Sequence, residues 1–466
     1  MLCLVYYSYL HYLVSFMSEQ HKSDPIYKQI SEVETAVAQV LEKAKKLGAT
    51  SAEAAMSSTS GLSVTTRLGE VETIEFNQDG ALGISVYVGN KKGSASTADL
   101  SSKALDLVVS KAIEIAKYTS EDPYNGLADR NLLEFSPRDL DLFHPWQVTP
   151  EEGIDFCKQA EDAALNADER IVNSDGASFS SHQGLRVYGN SHGFMGGFPR
   201  TRHSLSCMVI GQEAEQMERD SAYTTSRIGN QLKIASEVGL EAAKETLAKL
   251  NSRKLKTGKM PVVFRADIAS SLFGHLVSAI GGGALYRKSS FLLDSLGKPI
   301  FSELVNVEEK PHILQGMASS PFDSEGVKTQ DRIILNNGEL QTYLLASYAA
   351  RKLDMTPTGH AGGIHNWLVQ STDGDLAKLL KTMGTGLFVT ELMGQGVNVL
   401  TGDYSRGAAG FWVENGKIAY PVAEITISGT LQNIFKGLVA VGNDIDMRGS
   451  IRTGSLIIEE MQVAGN

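Results

Sequence analysis

The sequence predicts an α+β fold, with an N-terminal helix and antiparallel-sheet domain, a middle α/β segment, and a C-terminal domain that is mainly antiparallel sheet or barrel-like. Three observations carry this. Helix-period stretches flank a strand-rich run between Ser51 and Thr97. A T-x-x-E capping box at Thr149 and Glu152 opens another helix. Two Asn-Gly dipeptides sit between alternating apolar residues in the C-terminal half, the strongest short-range hairpin signal.

Taken in order, residues 26–47 read as a helix. Pro25 suits its first turn, Gly48 its stop, and Ile30, Val33, Val37, Val40, Leu41, Ala44 and Leu47 recur at helical spacing. "GLSVTTRLGEVETIEF", "GALGISVYVG" and "GSAST" then read as short strands separated by "NQDG" and "GNKKG" turns. "SSKALDLVVSKAIEIAKY" is a second helix. Residues 119–148, with Pro123, Pro137 and Pro145, read as a connection. The helix opened by the capping box runs to about Asn166, a turn-rich β-like region follows, and a long helix covers 232–250. In the last part "MPVVF" reads as a buried strand and "ADIASSLFGHLVSAI" as a helix. "RIILNNGELQTYL" and "GFWVENGKIAYPV" read as hairpins, and "GLFVTELMG", "AEITISG" and "GSLIIEEMQVAG" as further strands.

The chain has 466 residues, too many for one small core. The expected division is a start-site extension at 1–16, an N-terminal α+β domain at 17–120, a middle segment at 121–255 and a C-terminal β-rich domain at 256–466. The extension is apolar and aromatic. It has no basic n-region and no small-residue cleavage site, and it is shorter than the roughly 20 residues a spanning helix needs, so Met17 is the expected first residue and no membrane partner is expected. A formal charge of −11 gives no general attraction to nucleic-acid phosphates. Cys3, Cys157 and Cys207 are too few for a disulfide framework, which suits a reducing cytoplasm.

Familiar hydrolase motifs are missing. None of the ten histidines precedes a glutamate, so there is no H-E-x-x-H helix, and neither G-x-S-x-G nor a P-loop occurs. "IGGGALYRKSS" reads as a helix end followed by a flexible glycine turn. The Asp323 and Glu325 pair in "PFDSEGV" reads as a turn. "TGHAGGIHNW" is the remaining chemical candidate. His360 and His365 bracket two glycines, but no third ligand lies close in sequence, whereas a closed zinc site needs about four. The loop reads better as a wall of a peptide groove. Gly362 and Gly363 let a chain approach, His360, His365, Asn366 and Trp367 offer polar and stacking contacts, and Asp403 and Tyr404 of "TGDYSRG" join the same wall. The bland alternative is a loop packed on its own sheet or on another subunit.

"TRLGEVETIEFNQDGALGISVYVGNKKGSAST", "GNSHGF", "GHLVSAIGGGALYRKSSFLLDSLG", "SPFDSEGV", "TGHAGGIHNW" and "TGDYSRGAAGFWVENGKIAYPV" together resemble the TldD/PmbA family, from about Ile30 to the C-terminus. In the metal-bearing branch a helix carries His-Glu-x-x-x-His, with a cysteine ligand near the C-terminus. Aligned through the shared Arg-Lys, the two histidine positions become Gly274 and Ala279 here, the glutamate becomes His275, and no cysteine follows Cys207. The resemblance therefore implies the branch lacking the metal motif: no catalytic residue or cofactor in this chain, a TldD-type partner that supplies zinc (or a homodimer in its absence), and unfolded peptides as substrate. Two other classes stay open, an independent peptidase with an unrecognised site and a non-enzymatic regulatory protein such as a DNA gyrase modulator.

Overall fold

Helix α1 (Pro25–Lys46) begins where the sequence places it, because the Asp24 carboxylate accepts the Ile26 N–H and Pro25 occupies the first turn. Ile26, Ile30, Val33, Val37, Val40 and Ala44 form its buried stripe. The coordinates are a computed structural model and describe residues 23–465. The extension expected at 1–16 lies outside the described residues.

α1 packs on one face of a six-stranded antiparallel sheet. Its strands are β1 (Ser51–Arg67), β2 (Glu70–Val88), β3 (Lys91–Thr97), β4 (Ile171–Asn190), β5 (Met195–Glu213) and β6 (Gln216–Ser226), in the order β3-β2-β1-β4-β5-β6. Helix α2 (Ser102–Tyr118) joins α1 over one end of the sheet, while α3 (Pro150–Leu165) and α4 (Ala235–Lys249) cover the other. The capping box of α3 forms in full: the Thr149 hydroxyl accepts the Glu152 N–H and the Glu152 carboxylate accepts the Thr149 N–H at 2.8 Å.

The strands are longer than the sequence pattern suggests. "NQDG" is not a turn but the middle of β2. The first turn is Leu68-Gly69, inside the stretch read as one strand, with φ of 50° and 76°. It lacks the Asn-Gly signal because its stabilisation is tertiary: buried Glu161 of α3 accepts the Leu68 N–H at 2.7 Å, the Gly69 N–H at 3.2 Å and the Thr66 hydroxyl at 3.0 Å. Segments 17–120 and 121–255 share this sheet, since β1 pairs with β4 from Glu53↔Asn190 through Thr66↔Ala177. Two apolar clusters lie between the sheet and its helices, one centred on Val37, Val86 and Val109 and the other on Val64, Phe179 and Val238.

The C-terminal part runs β7 (Gly258–Phe264), α5 (Ala266–Ala279), α6 (Gly282–Tyr286), β8 (Val307–Glu309), β9 (Arg332–Asn336), β10 (Glu339–Leu340), α7 (Ser347–Lys352) and β11 (Trp367–Val369). It continues with α8 (Leu376–Met383), β12 (Gly386–Met393), β13 (Asp403–Glu414), β14 (Lys417–Thr430), α9 (Leu431–Lys436), β15 (Leu438–Val441), β16 (Ile451–Arg452) and β17 (Leu456–Ala464). Strands β14-β13-β12-β7-β17 close into a five-stranded barrel through β14–β17 pairs, with β15 appended to β17. The barrel-like expectation is met, although β7–β12 is parallel. A second sheet, β10-β9-β8-β11-β16, lies beside it. Both Asn-Gly hairpins form, with Asn337-Gly338 and Asn415-Gly416 at positive φ. The glycine run expected to be a flexible turn instead caps and opens α6. Gly282 is buried, and its close packing requires glycine, since a Cβ there would strike Ala349 and Leu345.

Candidate functional site

Helix α5 carries Gly274, His275 and Ala279, the positions that the resemblance sets against the ligands of the metal-bearing branch. Gly274 and Ala279 bring no donor atom. A Cβ at Gly274 would meet nothing within 4 Å, so bulk does not demand glycine there. His275 brings a ring whose buried Nε2 has no protein hydrogen-bond partner. Its nearest aromatic neighbour is Tyr404 of β13, edge-to-face at 5.9 Å. The structure thus joins two residues that the sequence placed in separate stretches. Arg406, two residues along the same strand, completes the group. Burial first, and then the Arg406 charge, hold the His275 pKa below the ordinary histidine range. Burial pushes the Tyr404 hydroxyl up to about 12, with Arg406 opposing. A guanidinium beside a lone imidazole repels a cation, so this donor set does not fit zinc.

The second candidate, the His360 to Trp367 loop, turns inward. Trp367 and Asn366 are fully buried, and His360 and His365 nearly so. Only Gly362 and Gly363 are exposed. Their φ values of 100° and 126° explain the glycines as turn requirements rather than as room for a passing chain. The His360 and Trp367 side chains and the His365 backbone N–H converge on Glu309 of β8, which is 1% exposed. One carboxylate oxygen accepts the His365 backbone N–H at 2.8 Å and the Trp367 indole N–H at 3.1 Å. The other lies 2.8 Å from His360 Nε2. His360 Nδ1 pairs with the Thr358 hydroxyl at 2.8 Å, and His365 Nε2 with the Gly359 carbonyl at 3.1 Å. Asn366 donates to the Lys310 carbonyl and the Ser319 hydroxyl.

This is the packed-loop alternative, and the reading of His360, His365, Asn366 and Trp367 as a groove wall is corrected by it. A buried carboxylate needs donors, and four residues of this loop and its approach supply or orient them. Tyr404 is likewise buried, and only Asp403 of that pair is exposed, bound to the Thr401 hydroxyl at 2.6 Å. Both carboxylate oxygens of Glu309, both ring nitrogens of His360 and the Nε2 of His365 are thus engaged. Among the described residues, no group of three or more His, Cys, Asp or Glu side chains is arranged to hold a metal ion. Glu309 and Thr358 were missed by sequence reasoning, while Arg406 was visible only as a neighbour of Asp403 and Tyr404 in the "TGDYSRG" stretch. The one usable signal is that two histidines and an indole on one short loop call for an acceptor elsewhere.

Asp323 and Glu325 form the turn expected of them. Asp323 accepts the Glu325, Val327 and Ala361 N–H groups at 2.8, 2.9 and 3.0 Å, so it ties this turn to the His360 loop. Burial, reinforced by the Glu325 charge, pushes its carboxyl up to about 6. Cys157 and Cys207 are buried small residues whose thiols burial pushes up to about 12, as expected of unreactive core cysteines.

The buried histidines set a pH dependence. Burial holds His365 below its ordinary pKa, although the Glu309 charge pulls it back up, and burial lowers His203 and His312 too. A base with a depressed folded pKa favours the neutral ring in the fold. Its stabilisation is therefore complete above the unfolded value near 6.5 and is lost as pH falls through that value toward the folded one. Melting temperature should fall as pH is lowered from about 7.5 to about 5.5. Asp323, raised to about 6, opposes part of this loss because its protonation favours the fold, so the profile is read on Asp323→Asn, where a flat or rising course across that window would contradict the histidine assignments.

Comparison with known proteins bears on the whole chain. Residues 52–116, 143–250 and 257–465 match, in order, PmbA/TldA metallopeptidase domain 1, the central domain and the C-terminal domain. The chain is 56% identical to Metalloprotease PmbA of Escherichia coli O157:H7 over 89% of its own length and 92% of that protein. It is 54% identical to a Metalloprotease PmbA homolog of Haemophilus influenzae over 94% and 97%. A crystal structure from Bacteroides thetaiotaomicron, of a protein named as a modulator of DNA gyrase, superposes with a TM-score of 0.89 at 30% identity, covering 93% of this chain and 99% of that one. TldE from Thermococcus kodakarensis shares the fold, with a TM-score of 0.81 at 18% identity over 92% and 100%. Three matched domains in sequence order and more than half the residues identical over nearly full length place this chain in the TldD/PmbA family of metallopeptidases, on its PmbA side.

Proposed function

We propose that this chain is the non-catalytic subunit of a cytoplasmic TldD/PmbA-type metallopeptidase that degrades or trims unfolded peptides, paired with a TldD-type subunit that carries the zinc. The observation that supports this most is the chemistry at Gly274, His275 and Ala279. The relatives' ligand positions hold one imidazole and no carboxylate or thiolate, and Arg406 stands beside that imidazole. A zinc that activates water needs three protein ligands and an open position. The Glu309, His360 and His365 cluster is no substitute, because Glu309 and the His360 Nε2 engage each other, the other Glu309 oxygen holds the His365 backbone N–H, and the His365 Nε2 is engaged by the Gly359 carbonyl. Family membership supports peptide hydrolysis as the reaction of the assembly, and the lost ligands support a partner as its source.

The experiment is a peptidase assay of the purified chain alone, of a TldD-type subunit alone, and of the two mixed, with zinc measured on each. Hydrolysis should require the TldD-type subunit and rise when this chain is added. Chelator-sensitive hydrolysis by this chain alone would overturn the proposal in favour of an independent peptidase. Among the described residues no helix is long and apolar enough to cross a membrane.

A further inference from the structure

We propose that the outer edge of β2, residues 71–80, is a docking strand for an extended unfolded peptide, whose side chains lie over the apolar margin of the sheet and into the cleft beside Phe76. This rests on the peptide-handling role proposed above and names the part of this chain that does the holding.

The first observation is the pairing. β3 covers β2 only from Leu82 to Val88. From Glu70 to Ala81 the outer side of β2 has no partner strand among the described residues. A run of solvent-exposed main-chain N–H and C=O groups is a template on which another extended chain can pair. The edge is also held in place, because Glu161 fixes the Leu68-Gly69 turn from which β2 starts.

The second observation is the face. Register puts Phe76 opposite Leu62, Ile74 opposite Val64 and, past a bulge, Val71 opposite Thr66. Leu62, Val64 and Thr66 are buried, yet Phe76 is 72% exposed, Ile74 44% and Val71 41%. The helix-covered apolar face therefore extends one strand beyond its cover. Next to it opens a cleft of about 940 Å³ between α1 and the Pro145–Val148 segment. Phe76 and Gln78 from β2, Ser60 from β1, Ser181 and Gln183 from β4 and Trp146 line it. Asp24, Lys28 and Glu32 rim it on the α1 side, and its hydroxyls, amides and aromatic rings suit main-chain amides and varied side chains.

The third observation is charge. Between Arg67 and Lys91 the chain carries Glu70, Glu72, Glu75 and Asp79 and no lysine or arginine. Two copies pairing edge to edge would set this acidic strand against itself, so the edge favours a basic extended chain over a second copy.

The test uses the full chain and a labelled peptide of alternating valine and lysine, read by fluorescence anisotropy. Binding should exceed that of a valine–glutamate peptide and fall with added salt. N-methylation of alternate peptide amides should weaken it about tenfold or more, because strand pairing uses those N–H groups. Phe76→Ala should weaken it about tenfold with the melting temperature unchanged, since the ring is mostly exposed. Glu75→Lys with Asp79→Lys should reverse the preference between the two peptides. Binding indifferent to N-methylation and to Phe76→Ala overturns this site while leaving a peptide role elsewhere on the chain. A dimer that Phe76→Ala dissolves, with neither peptide bound, assigns the edge to a second copy and overturns it as well. The peptidase comparison with the TldD-type subunit is independent of both outcomes.

Discussion

Replacing Trp367 by alanine should destabilise the folded chain by about 3–5 kcal/mol, the cost of removing a large ring from a close-packed interior. The indole is fully buried in the C-terminal core with Phe264, Leu276 and Val389, and its N–H is held by Glu309. Trp367 also joins two strands, since β11 pairs antiparallel with β8 at Glu309 and parallel with β16 at Ile451. Denaturant unfolding should therefore show a lower midpoint, and any loss of activity should track the loss of folded protein. A Trp367→Ala protein with an unchanged melting curve but defective processing would contradict this and restore the residue to a substrate-contact role.

Glu309→Ala should have an effect of similar size, about 3–5 kcal/mol, for a different reason. The carboxylate is the shared acceptor of the His365 N–H and the Trp367 indole N–H and the partner of His360. Burial raises its pKa, but the hydrogen bond and charge of His360, with the nearby His365, outweigh burial and hold it below the ordinary value. A carboxyl with a depressed folded pKa stabilises the fold above its unfolded pKa, and that contribution fades as pH falls through the folded one. Alanine leaves all three donors buried without an acceptor, whereas glutamine keeps the shape and one acceptor oxygen. Glu309→Gln should thus cost clearly less than Glu309→Ala. Because the two residues share one network, the double variant with Trp367→Ala should fall short of the sum of the single losses. Equal costs for glutamine and alanine would show that the hydrogen bonds contribute little.

What could be read from the sequence was local. The capping box at Thr149, the periodicity of Ile30 to Ala44 and the two Asn-Gly turns each depend on neighbours a few residues away, and each forms. The lengths of β1 and β2 were not legible, because Leu68-Gly69 becomes a turn only when Glu161, some ninety residues away, accepts its N–H groups. The sharing of one sheet by the first two segments was hidden for the same reason: the β1–β4 pairing spans a sequence distance that no local pattern encodes. At the candidate site, the lack of a donor atom at Gly274 and Ala279 was legible, because it is a matter of residue identity. The inward turn of the His360 loop was not, because histidines and a tryptophan beside glycines look alike whether a groove or a distant carboxylate receives them. Glu309 decides between the two, and it sits in an unremarkable "NVEEKP" stretch.

The claim that this chain belongs to a metallopeptidase yet lends it no metal is tested most directly by measuring zinc and peptidase activity on the same preparations of the chain alone and of its mixture with a TldD-type subunit. The account predicts no stoichiometric zinc and no hydrolysis for the chain alone, and about one zinc per pair with hydrolysis for the mixture. About one tightly held zinc per chain in the isolated protein, with hydrolysis that a chelator abolishes, would contradict it.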